Sequence, residues 1–158
     1  THIHISDVDG LKPPAYTDEN TLRQLRLFAR YGITSLWSLG GEKDPAFRAR
    51  DQQNTPSLNR SRLFVSGDVI VGKTPAEARA MVADVAAKRP DIIKIRVDDQ
   101  LKTAAKMTPE VYRAVIEEAH KRGLPVAAHI FYLDDAKDLV KAGVDFIWEN
   151  PSRGWFPL

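Results

Sequence analysis

The chain has 158 residues, enough for one domain with a substantial hydrophobic core. Its 23 basic and 21 acidic residues give a net charge of +2, and no basic run is concentrated on one predicted element, which argues against a nucleic-acid or membrane-surface partner. No apolar run approaches the roughly 18 residues of a transmembrane helix. Cysteine is absent, so any metal must be bound by nitrogen and oxygen ligands, and the composition suits the cytoplasm.

Predicted strands and helices alternate along the chain. The first strand occupies residues 1–6, and a loop containing Gly10, Pro13 and Pro14 follows it. Further strands are predicted at 33–37, 62–66, 91–97, 125–130 and 144–147. Helices are predicted at 19–31, 45–52, 75–88, 109–122 and 134–142, the third opened by a capping box at residues 74–77.

This alternation predicts parallel βα units. Apolar spacing on the last two helices places Val111, Val115 and Ala119, and then Ala136, Leu139 and Val140, toward the core. A complete eight-stranded barrel needs about 250 residues, so six strands indicate either an open doubly wound sheet or a TIM-type (β/α)8 barrel truncated after strand six. The open sheet is disfavoured because the Gly40-Gly41 turn lacks the rest of a dinucleotide-binding fingerprint.

Two histidines mark the first strand. Side chains alternate between the faces of a strand, so His2 and His4 share one face. Two neutral imidazoles at this spacing can bind one divalent metal of the zinc type. A His-X-His motif is weak by itself, and two histidines on a polar strand face are the alternative interpretation.

A lysine lies within the predicted fourth strand. Lys94 and Arg96 share one face, and Ile93, Ile95 and Val97 share the other. If the isoleucine face packs against helices, Lys94 points into the interior, where an unpaired ammonium is costly. A metal-bridging carbamate or a Schiff-base amine would then explain it, while the alternative is a pair of solvated side chains at a strand end.

The other two histidines differ in their positions. His129 closes a strand of small residues, at the carboxyl end where the active sites of barrels and open sheets lie. A satisfied core histidine is the alternative at that position. His120 falls in the last turn of a helix among charged residues, where a solvated histidine is favoured by the helix dipole.

Together these segments resemble the amidohydrolase superfamily, in particular its imidazolonepropionase-like and prolidase-like metal-dependent hydrolases. The resemblance runs from residue 1 to about residue 147. The segments that carry it are His2-Ile3-His4, Tyr31-Gly32-Ile33-Thr34, Ile93-Lys94-Ile95 and the run from Gly123 to His129.

The resemblance implies a barrel with a site for one or two divalent ions, zinc being expected. His2 and His4 would bind one metal, a carbamylated Lys94 would bridge, and His129 would bind the second. Lys94 and His129 would therefore be the catalytic residues. The implied reaction is hydrolysis of an amide, ester or related bond of a small-molecule substrate by metal-activated water.

The sequence departs from the family pattern near its end. Glu149 occupies the position of the expected strand-six histidine and is a candidate oxygen ligand. Residues 148–158 do not resemble the family, which predicts a partial hydrolase domain at 1–147 followed by a different tail. The family's strand-eight aspartate has no counterpart, so we expect a truncated chain with weak metal binding and little turnover.

Two other functions remain open. The chain could be a catalytically inactive metal-binding fragment of the same fold. A Schiff-base lyase that uses Lys94 ranks lower because it gives His2 and His4 no role. The open strand edges of an incomplete barrel also predict a homo-oligomer.

Overall fold

A computed structural model of the chain describes residues 1–5, 16–100 and 102–148. This part of the chain is an α/β structure whose strands are all parallel, as the alternating pattern predicts. It divides into two compact units, one covering Thr1–Asp68 and the other beginning at Val69. Within the described residues, no helix is long and apolar enough to cross a membrane.

The first unit contains a three-stranded sheet and two helices. The strands are β1 (His2–Ile3), β2 (Ser35–Ser38) and β3 (Arg62–Val65), in the order β1-β2-β3. The helices are α1 (Asp18–Arg30) and α2 (Asp44–Asp51). The hydroxyl of Thr17 caps α1 by accepting a hydrogen bond from the amide of Asn20 at 3.1 Å. Apolar side chains of all five elements and of Ile5 pack into one core.

The second unit contains three strands and three helices. Its strands are β4 (Ile93–Arg96), β5 (Val126–His129) and β6 (Phe146–Ile147), in the order β4-β5-β6. Its helices are α3 (Pro75–Ala87), α4 (Pro109–Lys121) and α5 (Leu133–Ala142). The predicted cap of α3 is present, since the Thr74 hydroxyl accepts from the amide of Glu77 at 3.2 Å.

The two faces of β4 have opposite character. Ile93, Ile95 and Val97 belong to the core of the second unit, which also contains apolar residues of α3 and α4. The side chains of Lys94 and Arg96 therefore lie on the other face of the strand. The register pairs Lys94 with Ala127 and Arg96 with His129. The polar ends of β4 and β5 thus lie side by side.

The helix α5 departs from its predicted orientation at one residue. Leu139 is fully buried and Ala136 packs against the core, as predicted, but 63% of Val140 is exposed. Residues 136, 139 and 140 fit an i, i+3, i+4 stripe, but α5 packs through Leu139 and Ala136 and leaves Val140, at the edge of that stripe, in solvent. The prediction for Val140 was wrong.

These neighbouring residues give a matched pair of core variants. We expect Leu139→Ala to lower the free energy of unfolding by about 2–5 kcal/mol, because it removes buried methyl groups and leaves a cavity. Val140→Ala should change it by less than about 0.5 kcal/mol, because its side chain is largely in solvent. Urea denaturation measures both values, and equal losses would contradict the orientation of α5.

Candidate metal-binding and catalytic residues

The two histidines of the first strand lie next to each other. Their ring centroids are 5.0 Å apart, and the ring planes meet at 66°. His4 is exposed, and its Nδ1 lies 3.4 Å from the carbonyl oxygen of Gly40. The prediction that His2 and His4 share a face agrees with this arrangement. Nε2 of His4 is then the ring nitrogen left for a ligand.

A buried carboxylate that the sequence analysis did not identify lies close to these histidines in the chain's first unit. Glu42 has no exposed surface. Its Oε1 accepts hydrogen bonds from the Ser38 hydroxyl at 2.7 Å and the Gly40 amide at 2.8 Å. Its Oε2 accepts from the Ser66 amide (3.2 Å), the Ser66 hydroxyl (3.0 Å) and the Gly67 amide (2.8 Å). Five donors therefore satisfy this charge.

Glu42 connects the carboxyl ends of three strands. Ser38 is the last residue of β2, and Ser66 directly follows β3. The same Ser38 hydroxyl accepts a hydrogen bond from the amide of Ile5, just beyond β1, at 2.9 Å. Glu42 also fixes Gly40, whose carbonyl lies beside His4. The carboxylate consequently determines the backbone on which the histidine pair is placed.

The structure places Lys94 in the interior of the second unit. Only 2% of the residue is exposed, although it lies on the polar face of β4. This excludes the alternative of a solvated lysine at a strand end. Since burying an ammonium group is costly, the position indicates a lysine with a chemical role or a charge partner.

His129 lies at the carboxyl end of β5, where it meets a second acidic residue that the sequence analysis missed. Its Nε2 is 3.1 Å from Oδ2 of Asp98, a residue that is 4% exposed. The other oxygen of Asp98 accepts a hydrogen bond from the amide of Gln100 at 2.6 Å. In an extended chain, Asp98 lies on the same face as Lys94 and Arg96. Extending the alternation of strand β4 beyond Val97 could therefore have identified it from the sequence.

His120 is a surface residue, as predicted, and it also contacts a carboxylate that the sequence analysis did not identify. It is exposed, and its Nε2 donates to Oδ2 of Asp145 at 2.9 Å. The same oxygen accepts from the amide of Val126 at 2.7 Å. His120 therefore helps to join the end of α4 to the start of β5.

Each unit contains two of the four described residues that were predicted to bind metal. His2 and His4 adjoin each other in the first, while Lys94 and His129 lie on neighbouring strands of the second. In residues 1–5, 16–100 and 102–148, no three His, Asp or Glu side chains cluster as a metal site would require. Glu149 lies outside the described residues, as does most of the predicted tail at 148–158.

Solved structures similar to this chain include hydrolases. A protein from Bifidobacterium longum assigned as a prolidase has 26% identity and a TM-score of 0.72, with 84% of this chain and 36% of that chain covered. A Xaa-Pro dipeptidase crystallised with methionine in its active site has 22% identity and a TM-score of 0.74, with 92% and 46% covered. Phenylurea hydrolase B has 21% identity and a TM-score of 0.71, with 84% and 39% covered.

These similarities define the class of fold as that of hydrolases built from parallel βα units. They confirm the resemblance to the amidohydrolase superfamily, and they cover most of this chain. The chain spans less than half the length of each of these three proteins. Its sequence matches no family profile, and no curated protein is detectably similar to it.

The hydrogen bonds of Glu42 predict that its replacement by glutamine, which has the same shape, strongly lowers the free energy of unfolding. Glu42→Gln turns one acceptor oxygen into a donor that faces other buried donors, so we expect a loss of about 3 kcal/mol or more in the free energy of unfolding. Glu19→Gln is the matched control, because Glu19 is exposed and the same change should cost less than about 0.5 kcal/mol. Chemical denaturation of both variants checks this, and similar values would refute the role of Glu42.

Tyr16 should make the first unit sensitive to high pH. Its hydroxyl donates to the carbonyl of Ile5, and burial, followed by the nearby Glu42 charge, raises the pKa of Tyr16 to about 12. Because the folded pKa exceeds the usual value of about 10, the stabilisation is complete below pH 10 and is lost as the pH rises through 12. We expect Tyr16→Phe to remove this contribution to the loss of stability at high pH.

The measurement is the free energy of unfolding of both proteins from pH 8 to pH 12. The difference between wild type and Tyr16→Phe should stay constant up to about pH 10 and then decrease. Tyr31→Phe is the control, because Tyr31 is 78% exposed. A difference that is independent of pH throughout would contradict the raised pKa of Tyr16.

Proposed function

We propose that this chain carries part of a metal-dependent hydrolase of the amidohydrolase type, with a TIM-type barrel as the fold of the whole enzyme. The substrate would be a small molecule containing an amide, ester or related bond. The observation that carries the proposal is the buried Lys94 beside the strand that ends in His129, on a fold similar to those of solved hydrolases.

The donor set fits a divalent metal of the zinc type. A nitrogen–metal bond of about 2.0–2.1 Å places an imidazole centre roughly 3.2 Å from the ion, so tetrahedral ligands have ring centres about 5 Å apart. The ring centroids of His2 and His4 are separated by 5.0 Å. Within the second unit, the ligands that the resemblance implies are Lys94 and His129, and the sequence contains no cysteine to supply a thiolate.

A metal bound by these residues would polarise the scissile carbonyl and lower the pKa of the attacking water. Lys94 would serve as a carbamate, formed when its neutral amine adds to carbon dioxide and releases a proton. The product is an anionic oxygen ligand. The position of Lys94, 2% exposed on the polar face of β4 next to the strand that ends in His129, supports this assignment.

Asp98 would act as a positioning residue for His129. Nε2 of His129 lies 3.1 Å from Oδ2 of Asp98, so the carboxylate would favour the tautomer with its proton on Nε2 and leave Nδ1 for a ligand. The carboxylate would also orient the ring. The Gln100 amide in turn orients the carboxylate, so the histidine is supported by two successive contacts.

The histidines provide a direct test. Titration of zinc chloride or manganese chloride into metal-free protein, followed by calorimetry, should give binding that His2→Ala and His129→Ala each weaken at least tenfold. His120→Ala should leave binding unchanged, because that side chain pairs with Asp145 on another part of the second unit. Equal effects of all three substitutions would refute the ligand assignment.

Lys94 separates hydrolysis from the Schiff-base alternative. The protein is assayed with metal on esters, lactones and N-acyl amino acids. Lys94→Ala should abolish turnover of any of these that the wild type hydrolyses, and a short carboxylic acid should partly restore it. Protein incubated with carbon-13 bicarbonate should give a carbamate signal that Lys94→Ala lacks. Trapping of a carbonyl substrate on Lys94 by borohydride, without a carbamate signal, would favour the lyase instead.

A further inference from the structure

The second unit contains a cavity of about 450 Å³ whose residues have no role in the proposed reaction. Three of its lining residues are cationic, namely Lys73, Arg96 and Lys106. The other lining residues are neutral, and they include Gly72 and Ala105. The cavity therefore combines enough volume for a small organic ligand with a lining of one charge sign.

Two of the three cations are available to a ligand. Nζ of Lys106 lies 2.6 Å from Oδ1 of Asp135, so its charge is largely balanced. Among the described residues, no carboxylate forms an ion pair with Lys73 or Arg96. Arg96 is half-buried at the end of β4, where the low dielectric strengthens its attraction for an anion. The lining therefore carries two cations that form no ion pair with a described carboxylate.

The backbone on one side of the cavity is fixed by close packing. A Cβ atom added at Gly72 would lie 3.0 Å from the backbone N and Cα of Ala78, too close for a side chain without a backbone shift. The next amide, that of Lys73, donates to Oε2 of Glu77 at 3.0 Å. The segment that carries Lys73 is thus anchored to the first turns of α3.

The opposite side is fixed by hydrogen bonds to the end of β4. The amide of Met107 donates to the carbonyl of Val97 at 3.1 Å, and the amide of Ala104 donates to the carbonyl of Asp99 at 2.9 Å. Both contacts hold the loop that leads into α4. The cavity walls are therefore set before a ligand binds, which lowers the entropy cost of binding.

We propose that this cavity binds a small ligand through an oxyanion, a carboxylate or a phosphate, that pairs with Arg96 and Lys73. The planar guanidinium of Arg96 offers two parallel donors, which match the oxygens of either group.

The test measures binding, so its result does not depend on the hydrolase proposal. Inorganic phosphate and sodium acetate are titrated separately into the full chain, with sodium chloride at equal ionic strength, while backbone amide NMR signals are followed. We expect saturable shifts at Gly72 and Ala105 with at least one of the two anions. Saturation by acetate alone identifies a carboxylate ligand, by phosphate alone a phosphate ligand, and by both a general oxyanion site.

Substitutions decide whether the cavity cations are responsible. Arg96→Met should weaken the affinity for the saturating anion at least tenfold. Lys73→Met should also weaken it, and because Lys73 is exposed and outside the strand, this variant leaves β4 intact. Lys137→Met is the matched control, because it removes the same charge from an exposed position on α5 outside the cavity. Shifts that stay linear with concentration, or that Lys137→Met reduces equally, would overturn the proposal.

Discussion

A buried charge must be satisfied where it lies, and this constraint governs the carboxyl ends of the strands in both units. In the first unit, Glu42 has no exposed surface and accepts five hydrogen bonds from the segments that follow β2 and β3. Such a carboxylate would be strongly destabilising if its donors were removed. The turn that contains Gly40 is therefore determined by Glu42, and the position of His4 beside that turn depends on it.

The second unit meets the same constraint with a different set of side chains. The apolar face of β4 packs into the core, so the strand's alternation places Lys94 and Arg96 on the opposite face. Asp98 continues that face and contacts His129, which brings an acid and an imidazole together at adjacent strand ends. Cationic, acidic and imidazole groups thus collect where parallel βα folds place their ligands.

Sequence patterns predicted most elements because their signals are local. The Thr74 capping box, the glycine and proline boundaries and the apolar spacing of α4 all depend on residues within one or two turns of each other. Val111, Val115 and Ala119 are buried as predicted. Val140 was assigned to the wrong face, because adjacent apolar residues on a helix leave the direction of its buried stripe open until the packing partner is known.

The residues of the candidate site also fall into two groups, those with a local sequence signal and those whose contacts form only in the folded structure. His2, His4, Lys94 and His129 were proposed as candidates from the sequence, because strand periodicity and strand ends are visible in the order of residue types. Glu42 was not, since its donors come from Ser38 and from Ser66 and Gly67, which are far apart in the chain and meet only in the folded sheet. The cavity lined by Lys73, Arg96 and Lys106 likewise forms from separate segments. The sequence alone thus determined the alternating elements and the strand-borne residues, whereas the tertiary structure decided which distant groups satisfy a buried charge, because only folding brings them within hydrogen-bonding distance.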